Sequence, residues 1–352
     1  MKLGVIANCQ ANGFTDSLKA LAPAADIVTV HLNGMADPGQ RTPERLEQRA
    51  REVEGCDIVF SQPVTADLGA IGTDALTPRL RRLIVIPHIA FDGLHPDCVY
   101  VRETDGTELR AAMGPYHPAL AFGCYAAGLP VDRALRLFNL HSYAALGYLD
   151  AYPAGLEALA ARWRACGFDL HRALAEAPPV FMHTVNHPRI EVIFALARQA
   201  LEQAGIACAA EAALPADRLA ESVTWPVYPE LGRPLGIAGQ MTFVPHRGAS
   251  HDLRHVVEAS YRAFAGAKSF RPGPFIMRAV NFIRQEVQGL PPHPMLQQAG
   301  AEDIQAAYRM ILGRDIALEQ ARQLAGARML LGDLRRGLLK SEEFRKILAA
   351  LG

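Results

Sequence analysis

The first 90 residues alternate between short apolar runs and longer amphipathic or polar segments. Runs of this length fit strands that are buried on both faces, while Phe14, Leu18 and Leu21 share one face of a helix. Strands that alternate with helices favour a parallel sheet with right-handed crossovers. We therefore predict an α/β fold, a parallel sheet flanked by helices, with strands at Leu3–Ala7, Asp26–Leu32, Cys56–Phe60 and Leu83–Ile86.

The pattern changes along the rest of the chain. Residues 118–166 look mainly helical, and Ile190–Leu201 has the pattern of an amphipathic helix. Prolines and glycines make residues 225–255 irregular, and Gly289–Pro294 is the clearest linker. We expect an α/β domain over residues 1–260, a helix and linker over 261–297, and a small all-α module over 298–352.

Polar side chains follow three of the predicted strands: Asn8-Cys9-Gln10, Gln62 and His88. Because parallel strands end at one edge of a sheet, these groups are expected close together, where such folds bind ligands. Cys9 also begins the first helix, whose free N–H groups and partial positive charge stabilise a thiolate. We predict a lowered pKa and a nucleophilic Cys9, with a buried, unreactive thiol as the alternative.

Two later segments carry groups that transfer protons or bind substrates. Asp92 and His95 lie in a loop-like stretch, although an ordinary Asp-Gly turn explains the same residues. Asn186 and His187 precede Pro188, which pre-sets the first turn of the next helix. His187 is a candidate general base, with an ordinary loop histidine as the alternative.

Anion and metal sites have weaker signals. His246-Arg247 would supply a cation to a phosphate group. His251 and His255 stand four residues apart, as in some zinc sites, but without the adjacent glutamate or an evident third ligand. No metal is predicted.

Composition excludes several classes of protein. Lys plus Arg and Asp plus Glu total 36 each, so no net charge favours nucleic acid or an anionic membrane. The six cysteines include no Cys-x-x-Cys pair, against a disulfide framework or zinc site. No apolar run approaches the ~18 residues of a membrane span, and the N-terminus does not resemble a signal peptide. We expect a soluble, cytoplasmic protein.

An ordered set of these motifs resembles the WcbI family of bacterial polysaccharide-biosynthesis proteins. The set comprises Asn8-Cys9-Gln10, Gln62-Pro63-Val64, Pro87-His88 with residues 92–97, and Asn186-His187-Pro188. The resemblance spans roughly residues 1–260, although Ala7 replaces the glycine that usually opens the family's Gly-Asn-Cys-Gln motif. It implies binding of coenzyme A and transfer of an acetyl group from acetyl-coenzyme A to a sugar in capsule biosynthesis.

The resemblance also implies roles for the candidate residues. Cys9 would be the nucleophile or the residue nearest the thioester, and His187 or His88 the base. The backbone N–H of Cys9, with Asn8 or Gln62, would stabilise the oxyanion. The remaining catalytic, substrate-binding and coenzyme A candidates are Asp92, Gln10, His95, Asn186, His246 and Arg247.

The Cys9 turn and His187-Pro188 are also similar to the SGNH esterase fold, a three-layer arrangement like that of flavodoxin. There a serine follows the first strand and a D-x-x-H-P element supplies the base. Thr184 stands where that element has its aspartate, so Asp92 or Asp97 would have to orient the base. An esterase or deacetylase acting on a glycan is therefore one alternative function.

The helical tail is similar to a small module of unknown function in bacterial surface and glycan-related proteins. The residues that carry this likeness are Tyr308, Leu312-Gly313-Arg314 and Ser341-Glu342-Glu343-Phe344. A second alternative function is a non-enzymatic scaffold of a glycan-assembly complex that docks protein partners through this tail.

Overall fold

The computed structural model describes residues 1–33, 41–290, 299–326, 329 and 331–351. Its largest sheet is wholly parallel, with the spatial order β2-β1-β3-β4. This is the order in which a flavodoxin-type sheet begins. The predicted parallel α/β fold is confirmed, with strands β1 (Lys2–Ala7), β2 (Asp26–His31), β3 (Ile58–Ser61) and β4 (Leu83–Val85).

Helices cover both faces of this sheet because successive apolar side chains of each strand point to opposite sides. Ile6 packs in the cluster under the second helix, whereas Leu3 and Val5 belong to the larger cluster on the other face. The helices up to residue 290 are α1 (Ala11–Leu21), α2 (Pro43–Glu54), α3 (Thr73–Leu76), α4 (Ala119–Ala126), α5 (Val131–Leu135), α6 (Leu140–Ala145), α7 (Ala151–Ala165), α8 (Leu170–Leu174), α9 (Ile190–Ala204), α10 (Pro229–Gly232), α11 (Leu253–Gly266) and α12 (Pro274–Phe282).

A second hydrophobic cluster surrounds the antiparallel pair β5 (Cys98–Tyr100) and β6 (Tyr116–Pro118). Helices α4, α11 and α12 pack in it, and α4 approaches α12 closely at Gly123, where a Cβ would lie 2.8 Å from the backbone of Ala279. The boundary expected at residues 260 and 261 therefore falls inside α11, whose two ends pack in one cluster.

A small antiparallel hairpin, β7 (Met182–Thr184) and β8 (His187–Pro188), precedes α9. It lies outside the main sheet and is held by a backbone hydrogen bond from Phe91 to Val185 and another from Trp225 to His183. Beyond it, residues 225–255 are largely irregular, as predicted.

The tail forms four helices with a hydrophobic cluster of their own. These are α13 (Ala301–Leu312), α14 (Leu318–Gly326), α15 (Leu331–Lys340) and α16 (Glu342–Leu351). The helical module is thus confirmed, while the greater part of the predicted linker, residues 291–298, lies outside the described residues. The division into separate domains stays a prediction.

Candidate functional site

Cys9 lies in the turn between β1 and α1, at the edge where the parallel strands end. Burial raises the pKa of its thiol to about 11, although the backbone N–H groups of Cys9 and Gln10 lower it. The predicted lowering of this pKa is therefore wrong. The lost hydration of the sulfur outweighs the two amide dipoles at the start of the helix.

Two buried glutamines form the frame beneath Cys9. Gln62 accepts a hydrogen bond from the backbone N–H of Asn8 at 3.0 Å and donates to Oε1 of Gln10 at 3.0 Å. Gln10 in turn donates to the carbonyl oxygens of Ile89 at 2.7 Å and Asn186 at 3.2 Å. Their amides thus join the ends of β1 and β3 to the segment after β4 and to the hairpin. One of the two N–H groups on Nε2 of Gln62 is thus engaged with Gln10, and the oxyanion role of Gln62 stays a prediction.

Asn8 presents its amide differently. Its Oδ1 accepts a hydrogen bond from the backbone N–H of Gln10 at 3.1 Å and lies 3.7 Å from Sγ of Cys9. Because a backbone N–H can only donate, this bond fixes which end of the amide faces the helix. The Nδ2 group of Asn8 then points away from that N–H.

Asn186 brings the hairpin to the same place. Its carbonyl oxygen lies 3.9 Å from Sγ of Cys9, and its Oδ1 accepts hydrogen bonds from Tyr116 at 2.7 Å and Thr184 at 3.1 Å. The Tyr100 hydroxyl donates to that of Tyr116 at 3.1 Å. The hydroxyl groups of Tyr100, Tyr116 and Thr184 thus hold Asn186 in place, and the carbonyl oxygen of Asn186 contacts both Cys9 and Gln10.

His187 follows on β8 and packs against the edge of the Tyr116 ring, with 6.1 Å between ring centroids. Burial lowers the pKa of His187 to about 4, helped by His183 and opposed by Asp217. The imidazole is therefore neutral at pH 7 and able to accept a proton. Its Nδ1 is buried and has no hydrogen-bond partner among the described residues.

The carboxylates expected to orient His187 serve elsewhere. Asp97 is buried and accepts hydrogen bonds from the Leu120 N–H at 2.9 Å and the hydroxyls of Tyr148 at 2.8 Å and Tyr228 at 3.0 Å. It holds the start of α4, and burial raises its pKa to about 7. Asp92 lies against α7 at Gly155 and forms no described ion pair with a histidine.

His95 is also structural. It is 1 % exposed, with Nε2 3.2 Å from the carbonyl oxygen of Met182 and Nδ1 3.3 Å from that of Pro226. Burial lowers the pKa of His95 to about 4. We therefore remove it from the substrate-binding candidates, because both ring nitrogens face the protein.

His183 of the hairpin forms a histidine–carboxylate pair that the sequence analysis did not predict. His183 donates from Nε2 to Oδ2 of Asp217 at 2.9 Å, and Asp217 also accepts from the N–H groups of Ile190 at 3.2 Å and Ala220 at 3.2 Å. Burial raises the pKa of Asp217, but these bonds lower it by more, to below its ordinary value. No local motif predicts the pair, because the two residues are 34 positions apart in the sequence.

The other predicted residues have no described hydrogen bond with Cys9. His88 is half-buried in the segment after β4, one residue before the Ile89 peptide that contacts Gln10. His246 and Arg247 are exposed, and Nδ1 of His246 lies 2.7 Å from the carbonyl oxygen of Glu221. His251 and His255 stack with 4.1 Å between their ring centroids.

Two absences concern only the described parts of the chain. No three His, Cys, Asp or Glu side chains there converge as a metal site would require. None of the helices in those parts combines the length and the apolar character needed to cross a membrane.

Comparisons with known proteins bear on the family and the fold. The model of the family "Polysaccharide biosynthesis enzyme WcbI" matches residues 2–208. A solved structure of WcbI, described as a novel polysaccharide biosynthesis enzyme in its native form without a disulfide bond between coenzyme A and a cysteine, is similar in fold. It aligns with a TM-score of 0.59 and 14 % identity over 82 % of this chain and 96 % of that one.

No curated protein matches the chain. The SGNH likeness gains no support from these comparisons. The family match, however, spans more than half of the sequence and includes Cys9, the Gln10–Gln62 frame and His187. The chain belongs to the WcbI family of polysaccharide biosynthesis enzymes.

Proposed function

We propose that this protein transfers an acetyl group from acetyl-coenzyme A to a sugar hydroxyl during synthesis of a bacterial capsule or exopolysaccharide. The observation that carries the proposal is the convergence of two distant elements on Cys9. Asn186, 177 residues along the chain, lies 3.9 Å from its sulfur, and His187 follows directly. The description of the similar structure mentions coenzyme A together with a cysteine, which supports a donor thioester beside Cys9.

The protonation states favour direct attack by the sugar. His187 is neutral at pH 7 and accepts the hydroxyl proton as the sugar oxygen attacks the acetyl carbonyl. The N–H of Cys9 and Nδ2 of Asn8 stabilise the negative charge that develops on the carbonyl oxygen. The C–S bond then breaks, and His187 returns its proton to the departing thiolate.

Cys9 has a positioning role in this scheme. Its thiol is protonated, and no imidazole lies within hydrogen-bond distance of Sγ among the described residues. His246 and Arg247 are exposed, and we assign them to the phosphates of the donor.

The decisive experiment follows acetyl transfer from radiolabelled acetyl-coenzyme A to a panel of nucleotide sugars and oligosaccharides. His187→Ala should lower the rate on the order of 10²–10⁴-fold, the usual cost of losing a general base. Cys9→Ala should retain transfer, and intact-mass spectrometry should find no acetyl group on the wild-type enzyme. Accumulation of acetyl-Cys9 would instead show a two-step route through the thiol.

Coenzyme A binding is tested separately by thermal shift. A ligand at a hundredfold excess over its Kd stabilises the native state by about 2.7 kcal/mol. Coenzyme A and acetyl-coenzyme A should both raise Tm, whereas adenosine should not. No shift at millimolar coenzyme A would reject the transferase and favour a scaffold; binding with hydrolysis but no sugar product would favour an esterase.

A further inference from the structure

Arg162 binds the chain segment that also contacts Gln10. It is an exposed residue of α7, and its Nη2 donates 2.6 Å to the carbonyl oxygen of Ala90. Ala90 directly follows Ile89, whose N–H and carbonyl both bond to the side chain of Gln10. Among the described residues, no carboxylate forms an ion pair with Arg162. Its charge is therefore not neutralised by the part of the protein that the structure describes.

His88 adds a second group that lacks a partner. Its Nε2 is buried and has no hydrogen-bond partner in the described part of the chain. Native structures satisfy nearly all buried polar atoms, and this nitrogen is open to a hydrogen bond from a bound molecule. Burial, with the nearby charge of Arg162, lowers the pKa of His88, and the neutral ring can donate one N–H.

We propose that Arg162 and His88 bind the phosphate of the acceptor, which is then a sugar phosphate or nucleotide sugar rather than a neutral glycan. This inference rests on the proposed function. A guanidinium and an imidazole N–H suit phosphate oxygens. The phosphate of such an acceptor lies within one sugar ring of its hydroxyl groups. The phosphates of coenzyme A, in contrast, are separated from its thiol by the whole pantetheine arm.

Inorganic pyrophosphate is the probe, titrated calorimetrically into the full-length protein with and without saturating coenzyme A. We expect it to bind equally well in both conditions, because donor and acceptor sites are distinct. Arg162→Gln should weaken pyrophosphate binding by about tenfold or more, and should leave the affinity for coenzyme A unchanged. Arg164→Gln removes the same charge two residues along α7 and should bind pyrophosphate like the wild type.

Other results overturn the proposal in separate ways. Competition between coenzyme A and pyrophosphate, with weaker coenzyme A binding by Arg162→Gln, would assign Arg162 to the donor. Equal pyrophosphate affinity in Arg162→Gln and wild type would show that no anion site exists. His88→Gln gives an independent check and should also weaken pyrophosphate binding. Pyrophosphate binding without any coenzyme A binding would reject the acetyl transfer while preserving the anion site.

Discussion

The amide side chains around Cys9 divide into two kinds according to their partners. Gln10 and Gln62 use both ends of their amides inside the protein. Asn8 uses one end and leaves the other available. The amides of Gln10 and Gln62 therefore hold the site together, whereas the amide of Asn8 is a candidate oxyanion donor.

The raised pKa of Cys9 predicts slow alkylation at neutral pH. Because burial holds this pKa near 11, the thiolate fraction at pH 7.5 is small and should grow steeply as the pH rises towards 11. Iodoacetamide labelling at several pH values, with each cysteine followed by peptide mass spectrometry, measures this directly. Rapid labelling of Cys9 with a midpoint near pH 7 would contradict the prediction.

Tyr116 is predicted to be a positioning residue. Replacing it by Phe removes the 2.7 Å bond to Asn186 and should lower the free energy of unfolding by about 1 kcal/mol. The displaced hairpin should lower kcat by roughly tenfold, equivalent to ~1.4 kcal/mol, with little change in coenzyme A affinity.

The matched control for this variant is Tyr143→Phe. The hydroxyl of Tyr143 is also buried but has no hydrogen-bond partner among the described residues, so its loss should change neither stability nor rate. A normal kcat in Tyr116→Phe, or an equal loss in both variants, would refute the positioning role.

At the scale of elements, Asp217 joins three segments. It accepts hydrogen bonds from β7 through His183, from the first residue of α9 and from the turn at Ala220. A carboxylate at a helix N-terminus is favourable both as a hydrogen-bond acceptor and as a negative charge. Asp217 therefore stabilises the start of α9 and the hairpin that carries Asn186 and His187.

Asp217→Asn should lower the free energy of unfolding by about 1–2 kcal/mol at pH 7, the scale of lost charge-assisted hydrogen bonds. The folded-state pKa of Asp217 is depressed, so its contribution is present above the unfolded pKa and is lost as the pH falls through the folded value. Urea unfolding from pH 7 to pH 3 should therefore show the two proteins converging below about pH 4.

Asp132→Asn provides the control for this series. Asp132 is paired with Arg254 at 2.7 Å, but 73 % of its side chain is exposed, and exposed pairs contribute little. This variant should match the wild type throughout. A constant gap between Asp217→Asn and wild type down to pH 3 would show that the effect is not the carboxylate's charge.

The tail helices are joined by the residues of their short sequence signature. Arg314 pairs with Glu343 and lies over the Tyr308 ring at 5.1 Å. Gly313 ends α13 with a φ of +64°, a conformation that costs glycine little. The Ser341 side chain accepts the Phe344 N–H at 3.1 Å and so caps α16. The signature therefore encodes the ends and the packing of α13 and α16 rather than a catalytic site.

At the scale of the whole molecule, the tail is predicted to be dispensable for folding of the rest. Its apolar residues form their own cluster, while α12 packs on α4 in another. A chain that ends at Leu290 should therefore remain monodisperse by size-exclusion chromatography and keep the thermal shift with coenzyme A. Aggregation, or loss of that shift in a soluble protein, would show that the tail contributes to the same core.

The sequence by itself determined the parallel sheet, its flanking helices, the helical tail and the edge that carries Cys9. These follow from periodicity and turn residues, which act over short stretches of chain. The family resemblance also predicted that Asn186 and His187 lie near Cys9. The hydrogen bond from Gln10 to the carbonyl oxygen of Asn186 holds Asn186 at that position.

Only the tertiary structure decided which polar groups are free and which are engaged. Sequence spacing gave no sign that His95 would lie between two carbonyls, that Asp97 would hold α4, or that His183 would find Asp217. The pKa of Cys9 likewise depends on how deeply the sulfur is buried. Burial and long-range pairing arise from packing of the whole chain, so no local pattern encodes them.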